Sequence, residues 1–171
     1  MKIMDYRTEL INMINKFNIE SVEEFKEAEM RIVRDSRFSS IRKKKDYDGH
    51  VRMLRTVKNK ALKLDPKNVK IPETDPNTIE LKKAFERCLV VFSGVCDSYV
   101  QMQLALKGKS EGEKLSYGQY KEINNKVKHM RSRLNEVMQN LDIMYSDYAE
   151  YSSMDDSEDL AGIAYKTYDQ L

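Results

Sequence analysis

The fold of this chain is decided by residues 120–151, YKEINNKVKHMRSRLNEVMQNLDIMYSDYAEY. Apolar and aromatic side chains recur in this stretch at alternating steps of three and four residues. Such spacing is typical of a long helix whose seam packs against another helix. The seam residues are Tyr120, Ile123, Val127, Met130, Leu134, Val137, Leu141, Met144, Tyr148 and Tyr151. A long helix with a helical partner is therefore the first prediction.

A second seam upstream predicts the partner helix. Its residues also step by four and three, and they are Leu81, Phe85, Cys88, Phe92, Val95, Tyr99, Met102 and Leu106. Further apolar residues flank this seam, so the helix is apolar nearly all round and should lie at the centre of a bundle. Gly94 is unfavourable inside a helix, which indicates either the close approach of a neighbouring helix or a kink there.

The two seams predict an antiparallel helical hairpin. The polar loop between them, residues 108–118, is short enough to favour two neighbouring antiparallel helices. We place the helices at about 78–107 and 117–151, with Asn77 or Thr78 as the cap of the first. A heptad seam can be satisfied within one chain or between two chains, so the sequence leaves a homo-oligomer open.

Smaller helices are predicted in front of the hairpin, within an N-terminal part covering residues 1–65. Apolar residues at helical spacing indicate a first helix over about 3–17. Residues 18–20 read as a short link. Ser21 then opens a second helix, because Glu24 follows three residues later in the pattern of a capping box.

A third helix should begin near Asp48, its predicted cap, and end before Pro66, because the residue before a proline is pushed out of the helical region. All three prolines lie in residues 66–77, which we predict to be a linker.

After the hairpin, residues 152–171 are predicted to form an acidic segment with a polar break and a short final helix. The whole chain is expected to form one compact all-α domain.

Composition supports this fold class and excludes several others. Only three prolines and six glycines interrupt 171 residues, which favours a few long helices. Cys88 and Cys96 are the only cysteines, so a disulfide framework or a four-cysteine zinc site is excluded. The first residues lack the basic and apolar regions of a signal peptide, and the most apolar run is too short to span a bilayer. We expect a cytoplasmic protein without a membrane partner.

No catalytic residue, metal site or cofactor is predicted. The Glu-x-x-His motif of di-iron bundles is absent, because Tyr47 and Lys126 lie three residues before the two histidines, His50 and His129. Gly108-Lys109-Ser110 lacks the upstream glycine and strand of a phosphate-binding loop. Cys88 belongs to a buried seam, where a thiol is expected to be inert. The sequence therefore favours binding over catalysis.

The charge distribution is the strongest functional signal. Residues 31–70 contain fourteen Lys or Arg and four Asp or Glu, a net charge of +10. A block this basic attracts anions, and nucleic acid is the commonest partner of such a block. The candidate contacts are Arg34, Arg37, Arg42, Lys43, Lys44, Lys45, Arg52 and Arg55. The alternatives are a solvated face, or a partner for the acidic end of the same chain.

The other end of the chain is acidic. Residues 136–171 carry nine acids and one lysine, a net charge of −8. Carboxylates interleaved with tyrosines could imitate a phosphate backbone, and they would then serve a protein-binding adaptor or inhibitor. The residues in question are Asp142, Asp147, Glu150, Asp155, Asp156, Glu158 and Asp159. The richness in Lys, Asn, Ile and Tyr resembles proteins of AT-rich bacteria and their phages, which fits a small inhibitor encoded by a phage or mobile element.

Overall fold

The computed structural model describes residues 5–36 and 45–168, with side chains described as far as Tyr151. All regular structure in these residues is helical. The main helices are α1 (Tyr6–Lys16), α2 (Glu23–Ser36), α3 (Tyr47–Leu62), α4 (Pro76–Ser110) and α5 (Tyr117–Tyr168). A π-helical turn, Phe17–Val22, joins α1 to α2, and a 3-10 helix, Pro66–Asn68, precedes α4. The predicted all-α bundle is confirmed.

The α4–α5 hairpin forms the frame of the bundle. The Cys88 thiol donates to the backbone carbonyl of Val137 at 3.1 Å. Near the start of α4, the hydroxyls of Thr78 and Tyr148 lie 3.0 Å apart. The α5 residue in contact moves from 137 to 148 as the α4 residue moves back from 88 to 78. The two helices are therefore antiparallel, as predicted. A Cβ atom on Gly94 would lie 2.6 Å from the Met130 methyl group, which confirms the close approach there.

Helix α4 is the centre of the core, and the N-terminal helices pack on it through aromatic rings. The Phe92 ring meets the Phe17 ring edge-to-face at a centroid distance of 5.2 Å and the Phe25 ring at 5.5 Å. All three residues are essentially buried. Each edge-to-face pair contributes about 0.5–1.5 kcal/mol beyond the area that it buries. This cluster fixes α2 against the hairpin.

Glu29 joins α2 to both helices of the hairpin. It accepts a hydrogen bond from the Tyr99 hydroxyl of α4 at 2.6 Å and one from the Arg131 Nε of α5 at 2.9 Å. Burial raises the pKa of Tyr99, and the hydrogen bond to Glu29 raises it further. The Arg131 guanidinium also lies over the Phe25 ring, 5.5 Å from its centroid. The Glu29–Arg131 ion pair is largely buried, and each of its side chains has a further partner: Tyr99 for Glu29 and the Phe25 ring for Arg131.

Helix α3 packs on another flank of α4, with Leu54 and Val57 buried. Its N-cap is Asp46, whose side chain accepts from the Gly49 N–H at 2.9 Å. The prediction of Asp48 as the cap is wrong, because the cap is the preceding aspartate, Asp46. Asp48 instead lies in the first turn of α3 and pairs with Lys107 of α4 at 2.9 Å.

The cap of α4 is also corrected. Neither Asn77 nor Thr78 is the N-cap; Asp75 is, and its side chain accepts from the Thr78 N–H at 3.3 Å. Pro76 occupies the first helical turn, where its missing N–H costs nothing. The residues predicted to form a linker therefore include the start of α4, and Pro66, Val69 and Asp75 among them are buried.

The predicted link at 18–20 and the capping box at Ser21 are wrong. The backbone continues from α1 into α2 through the π turn Phe17–Val22, so no new helix start needs a cap. The Ser21 hydroxyl is buried and has no hydrogen-bond partner within the described chain. Phe17 and Val22, at the two ends of the turn, are both buried, and this apolar burial favours the continuous backbone.

Helix α5 differs from prediction at its C-terminal end. It continues without a break from Tyr117 to Tyr168, where the sequence predicted a polar break and a separate short helix. Residues 119–161 contain neither glycine nor proline. Serine and aspartate lower helix propensity by less than about 0.7 kcal/mol each, which is not enough to end an established helix.

Candidate polyanion-binding surface

The outward face of α3 carries unshared positive charge. Leu54 and Val57 point into the core, and the opposite face exposes Arg52 and Arg55. Lys63, directly after the helix, is exposed as well. The exposure of Arg52 and Arg55 follows from the helical period, because they lie about half a turn from the buried residues Leu54 and Val57.

Seven cations of residues 31–70 form no ion pair within residues 5–36 and 45–151. They are Arg34, Lys45, Arg52, Arg55, Lys63, Lys67 and Lys70. A cation that forms no ion pair keeps more of its attraction for an external anion than a paired one does.

Ion pairs within the bundle use other cations of the basic block. Lys58 lies 2.7 Å from Asp97, and Lys60 lies 2.7 Å from Glu24. Arg31 pairs with Glu27 at 3.0 Å. These acids belong to α2 and α4, not to the acidic residues 136–171. The positive charge that residues 31–70 can offer to an external anion is therefore smaller than their net charge suggests.

The structure places half of the predicted nucleic-acid contacts. Arg34 is exposed in the last turn of α2, Lys45 is half-buried before α3, and Arg52 and Arg55 are exposed on α3. The other four lie outside the described residues, and they are Arg37, Arg42, Lys43 and Lys44.

The acidic candidates lie on α5. Asp142, Asp147 and Glu150 are exposed. The remaining four occupy the part of α5 beyond the last described side chain, and they are Asp155, Asp156, Glu158 and Asp159. Two exposed apolar residues, Ile143 and Tyr151, accompany the first group.

His50 is a buried polar residue that sequence reasoning missed. It is 5% exposed, with Nδ1 2.9 Å from Gln103 Oε1 and Nε2 2.7 Å from Asp35 Oδ2. It therefore joins α3 to α4 and to the end of α2, on the two sides of residues 37–44. Its position four residues before Leu54, on the inward face of α3, is the signal that could have revealed it.

The two cysteines give a direct test of the core. Cys88 and Cys96 are fully buried, and burial is the main factor that raises the pKa of each thiol to about 12. We expect native protein to resist alkylation at mildly alkaline pH, because the thiolate is the reactive form. Mass spectrometry should find both thiols modified only after denaturant is added. Rapid double labelling of the native protein would contradict their burial.

The described residues contain no group of three or more His, Cys, Asp or Glu side chains placed to hold a metal ion.

Among the described residues α4 is long and apolar enough to cross a membrane, with a mean hydropathy of 1.3 over its most apolar window. However, 56% of that window is buried inside the bundle, as for the core helix of a globular domain.

Comparison with known proteins adds no functional information, because no family model, curated protein or solved structure matches this chain.

Proposed function

We propose that this protein is a non-enzymatic binding protein that contacts nucleic acid, or another polyanion, through the outward face of α3. The observation that carries the proposal is the exposure of Arg52, Arg55 and Lys63 without ion pairs in the described chain. Lys58 and Lys60 on the same helix have acidic partners, so the unpaired cations are concentrated on one face.

The geometry of this face suits a phosphate backbone. From Arg52 to Lys63 the chain advances about 16 Å along the helix axis. Phosphates on one strand of duplex DNA recur about every 3.4 Å of helix axis, so several lie within that length. Contacts of this kind position a protein on nucleic acid without reading its sequence. We therefore expect binding that depends strongly on salt and weakly on sequence.

The test compares two double variants of equal charge. Arg52→Ala/Arg55→Ala removes two unpaired cations, and Lys58→Ala/Lys60→Ala removes two paired ones. On duplex DNA the first should reduce the log–log salt slope of the affinity by up to about 1.8, which is two phosphate contacts. The second should leave the slope nearly unchanged, because those charges are already neutralised. Labelled duplex and single-stranded probes, titrated at several salt concentrations, measure both slopes.

Replacing Arg42, Lys43, Lys44 and Lys45 together with alanine extends the test to residues 42–45. If these residues also contact phosphates, the slope should fall by up to about 3.6 with little change in sequence preference. Binding that is micromolar or weaker and indifferent to all of these substitutions would remove the nucleic-acid proposal.

A second candidate function is protein binding through α5. It is supported by Asp142 and Asp147, which are exposed and without ion pairs in the described chain, next to the exposed Ile143. Acidic and apolar side chains together could occupy the nucleic-acid channel of another protein. A pull-down with nuclease and salt controls separates the two candidates. A partner retained after nuclease treatment and lost with Asp142→Asn/Asp147→Asn would favour this second function.

A further inference from the structure

An open groove lies where the end of α3, the first half of α4 and the middle of α5 meet. Its volume is about 680 Å³. Its lining includes Leu62, Lys67, Arg87, Val90, Arg133 and Val137. Lys67 is also one of the unpaired cations of residues 31–70, and Leu62 directly precedes Lys63, so the groove adjoins the face of α3 that is proposed to contact nucleic acid.

The groove exposes apolar side chains that the bundle does not cover. Val90 is 72% exposed, although it belongs to the central helix of the core. Leu62, at the end of α3, is 48% exposed. Leu89 and Val91, on either side of Val90, are buried. The groove therefore combines a buried apolar base with exposed apolar side chains, which favours an apolar ligand surface.

Unpaired cations surround these apolar residues. Lys67, Arg87 and Arg133 have no ion pair within the described residues. The fourth cation, Lys83, is paired with Glu80 at 3.0 Å. Two carboxylates also line the groove: Glu86 is paired with Lys82 at 3.9 Å, and Asp65 accepts from the Lys67 backbone N–H at 3.2 Å, so the lining keeps an excess of positive charge. An occupant with apolar side chains on one face and carboxylates at its edges would complement both the groove and its rim.

The chain itself contains a segment of that chemistry. Residues 152–171 carry five acids and one lysine, a net charge of −4. Apolar residues follow the acids at helical spacing, and they are Leu160, Ile163, Ala164 and Tyr168. This spacing places them on one face of a helix, and the backbone of α5 is helical as far as Tyr168.

The segment cannot reach the groove of its own chain. Val137 of α5 lines the groove, and Leu160 lies 23 residues further along the same continuous helix. At 1.5 Å per residue, the two are about 35 Å apart along the helix axis. The groove can therefore take this segment only from another molecule.

We propose that the groove binds the C-terminal segment, residues 152–171, of a second copy of this chain. Leu160 and Ile163 of one copy would contact Leu62 and Val90 of the other. The acids before Leu160 would pair with the cations of the rim. A reciprocal exchange of segments gives a two-fold symmetric dimer in which both grooves are filled.

The first experiment titrates a labelled peptide of residues 152–171 into the full-length protein. Arg87→Glu/Arg133→Glu should weaken its binding by roughly a hundredfold, because like charges then face each other across the interface. Val90→Asp should also weaken binding, since it places a charge among the apolar contacts. Lys121→Glu/Lys128→Glu is the matched control, because both lysines are exposed on α5 and do not line the groove. It should bind the peptide like wild type.

The second experiment restores the charge complementarity. In the variant Asp155→Lys/Asp156→Lys/Glu158→Lys/Asp159→Lys the C-terminal segment is basic. Analytical ultracentrifugation should show weakened dimerisation for this variant alone and for Arg87→Glu/Arg133→Glu alone. A mixture of the two should recover a heterodimer, and this recovery also shows that both variants are folded. The proposal is overturned if wild type is monomeric and binds no peptide, or if dimers persist in both variants.

Discussion

Replacing Leu134 with aspartate is expected to lower the free energy of unfolding by roughly 4 kcal/mol or more, because the change removes a buried side chain and introduces a charge without a partner. Leu134 is 1% exposed, near the middle of the α5 seam, and it lines a small cavity together with Phe25 and Phe92. Lys26 and Arg131 line the same cavity, but each is already paired with a glutamate, so an aspartate at this position gains no free cation. Urea denaturation followed by circular dichroism gives the change directly.

Lys128→Asp is the matched control for this prediction. Lys128 is exposed on the same helix, six residues from Leu134. The same residue type is introduced there at the surface, so the expected cost is under about 0.5 kcal/mol. Equal loss of stability in the two variants would mean that the buried face of α5 is wrongly assigned.

The seam of α5 shows what the sequence can predict about this fold. Its three-and-four spacing correctly places Val127, Leu134 and Leu141 in the core. The pattern fails at its C-terminal end, because Tyr151 is 57% exposed. The reason lies in the partner helix. Tyr148 already meets Thr78 in the first turns of α4, so little of α4 remains to cover Tyr151. Periodicity identifies the face of a helix but not the length of its partner.

The helix starts were less predictable, because several residues near each start could serve as a cap. Asp46 and Asp48 are both suitable N-caps in sequence. In the structure Asp46 is the cap, and Asp48 lies in the first turn of α3, where it pairs with Lys107 from a distant part of the chain. The π turn was missed because the local pattern at Ser21 indicates a helix start, whereas the burial of Phe17 depends on its packing against Phe85 and Phe92 of the distant α4.

The candidate surface was predicted only in part. The outward position of Arg52 and Arg55 follows from the helical period of α3, so it was accessible from sequence. The pairing of Lys58 with Asp97 and of Lys60 with Glu24 depends on which helices pack together, and a count of charges cannot reveal it. The groove around Val90 also went unnoticed, because an apolar residue on a core helix is expected to be buried.

The second large effect on the free energy of unfolding is expected from a change at Asp75, the N-cap of α4, which is hydrogen-bonded to α1 and, through Thr78, to α5. Its carboxylate accepts hydrogen bonds from the Tyr6 hydroxyl, the Arg7 Nε and the Thr78 hydroxyl, each at 2.8 Å. The Thr78 hydroxyl also lies 3.0 Å from the Tyr148 hydroxyl of α5. Burial alone would raise the pKa of Asp75, but the hydrogen bonds from Thr78, Tyr6 and Arg7 outweigh burial and lower it to about 2.

This lowered pKa makes the stability of the protein depend on pH in a defined direction. The folded-state pKa of Asp75 is about 2, below the ordinary value of 3.8 that applies to the unfolded chain. The stabilisation is therefore complete above the unfolded value and is lost as the pH falls from about 4 through about 2. At 1.36 kcal/mol per pKa unit, the ionised carboxylate contributes about 2 kcal/mol at neutral pH.

Asp75→Asn is expected to remove this contribution while keeping the shape of the side chain. At neutral pH the variant should be less stable than wild type by about 2 kcal/mol, and the difference should shrink as the pH is lowered from about 5 to about 2. Asp147→Asn, an exposed aspartate on α5, should show no comparable difference at any pH. Urea denaturation at a series of pH values measures both differences. A stability gap between wild type and Asp75→Asn that is constant across this pH range would show that the carboxylate charge is not what holds α1, α4 and α5 together at this point.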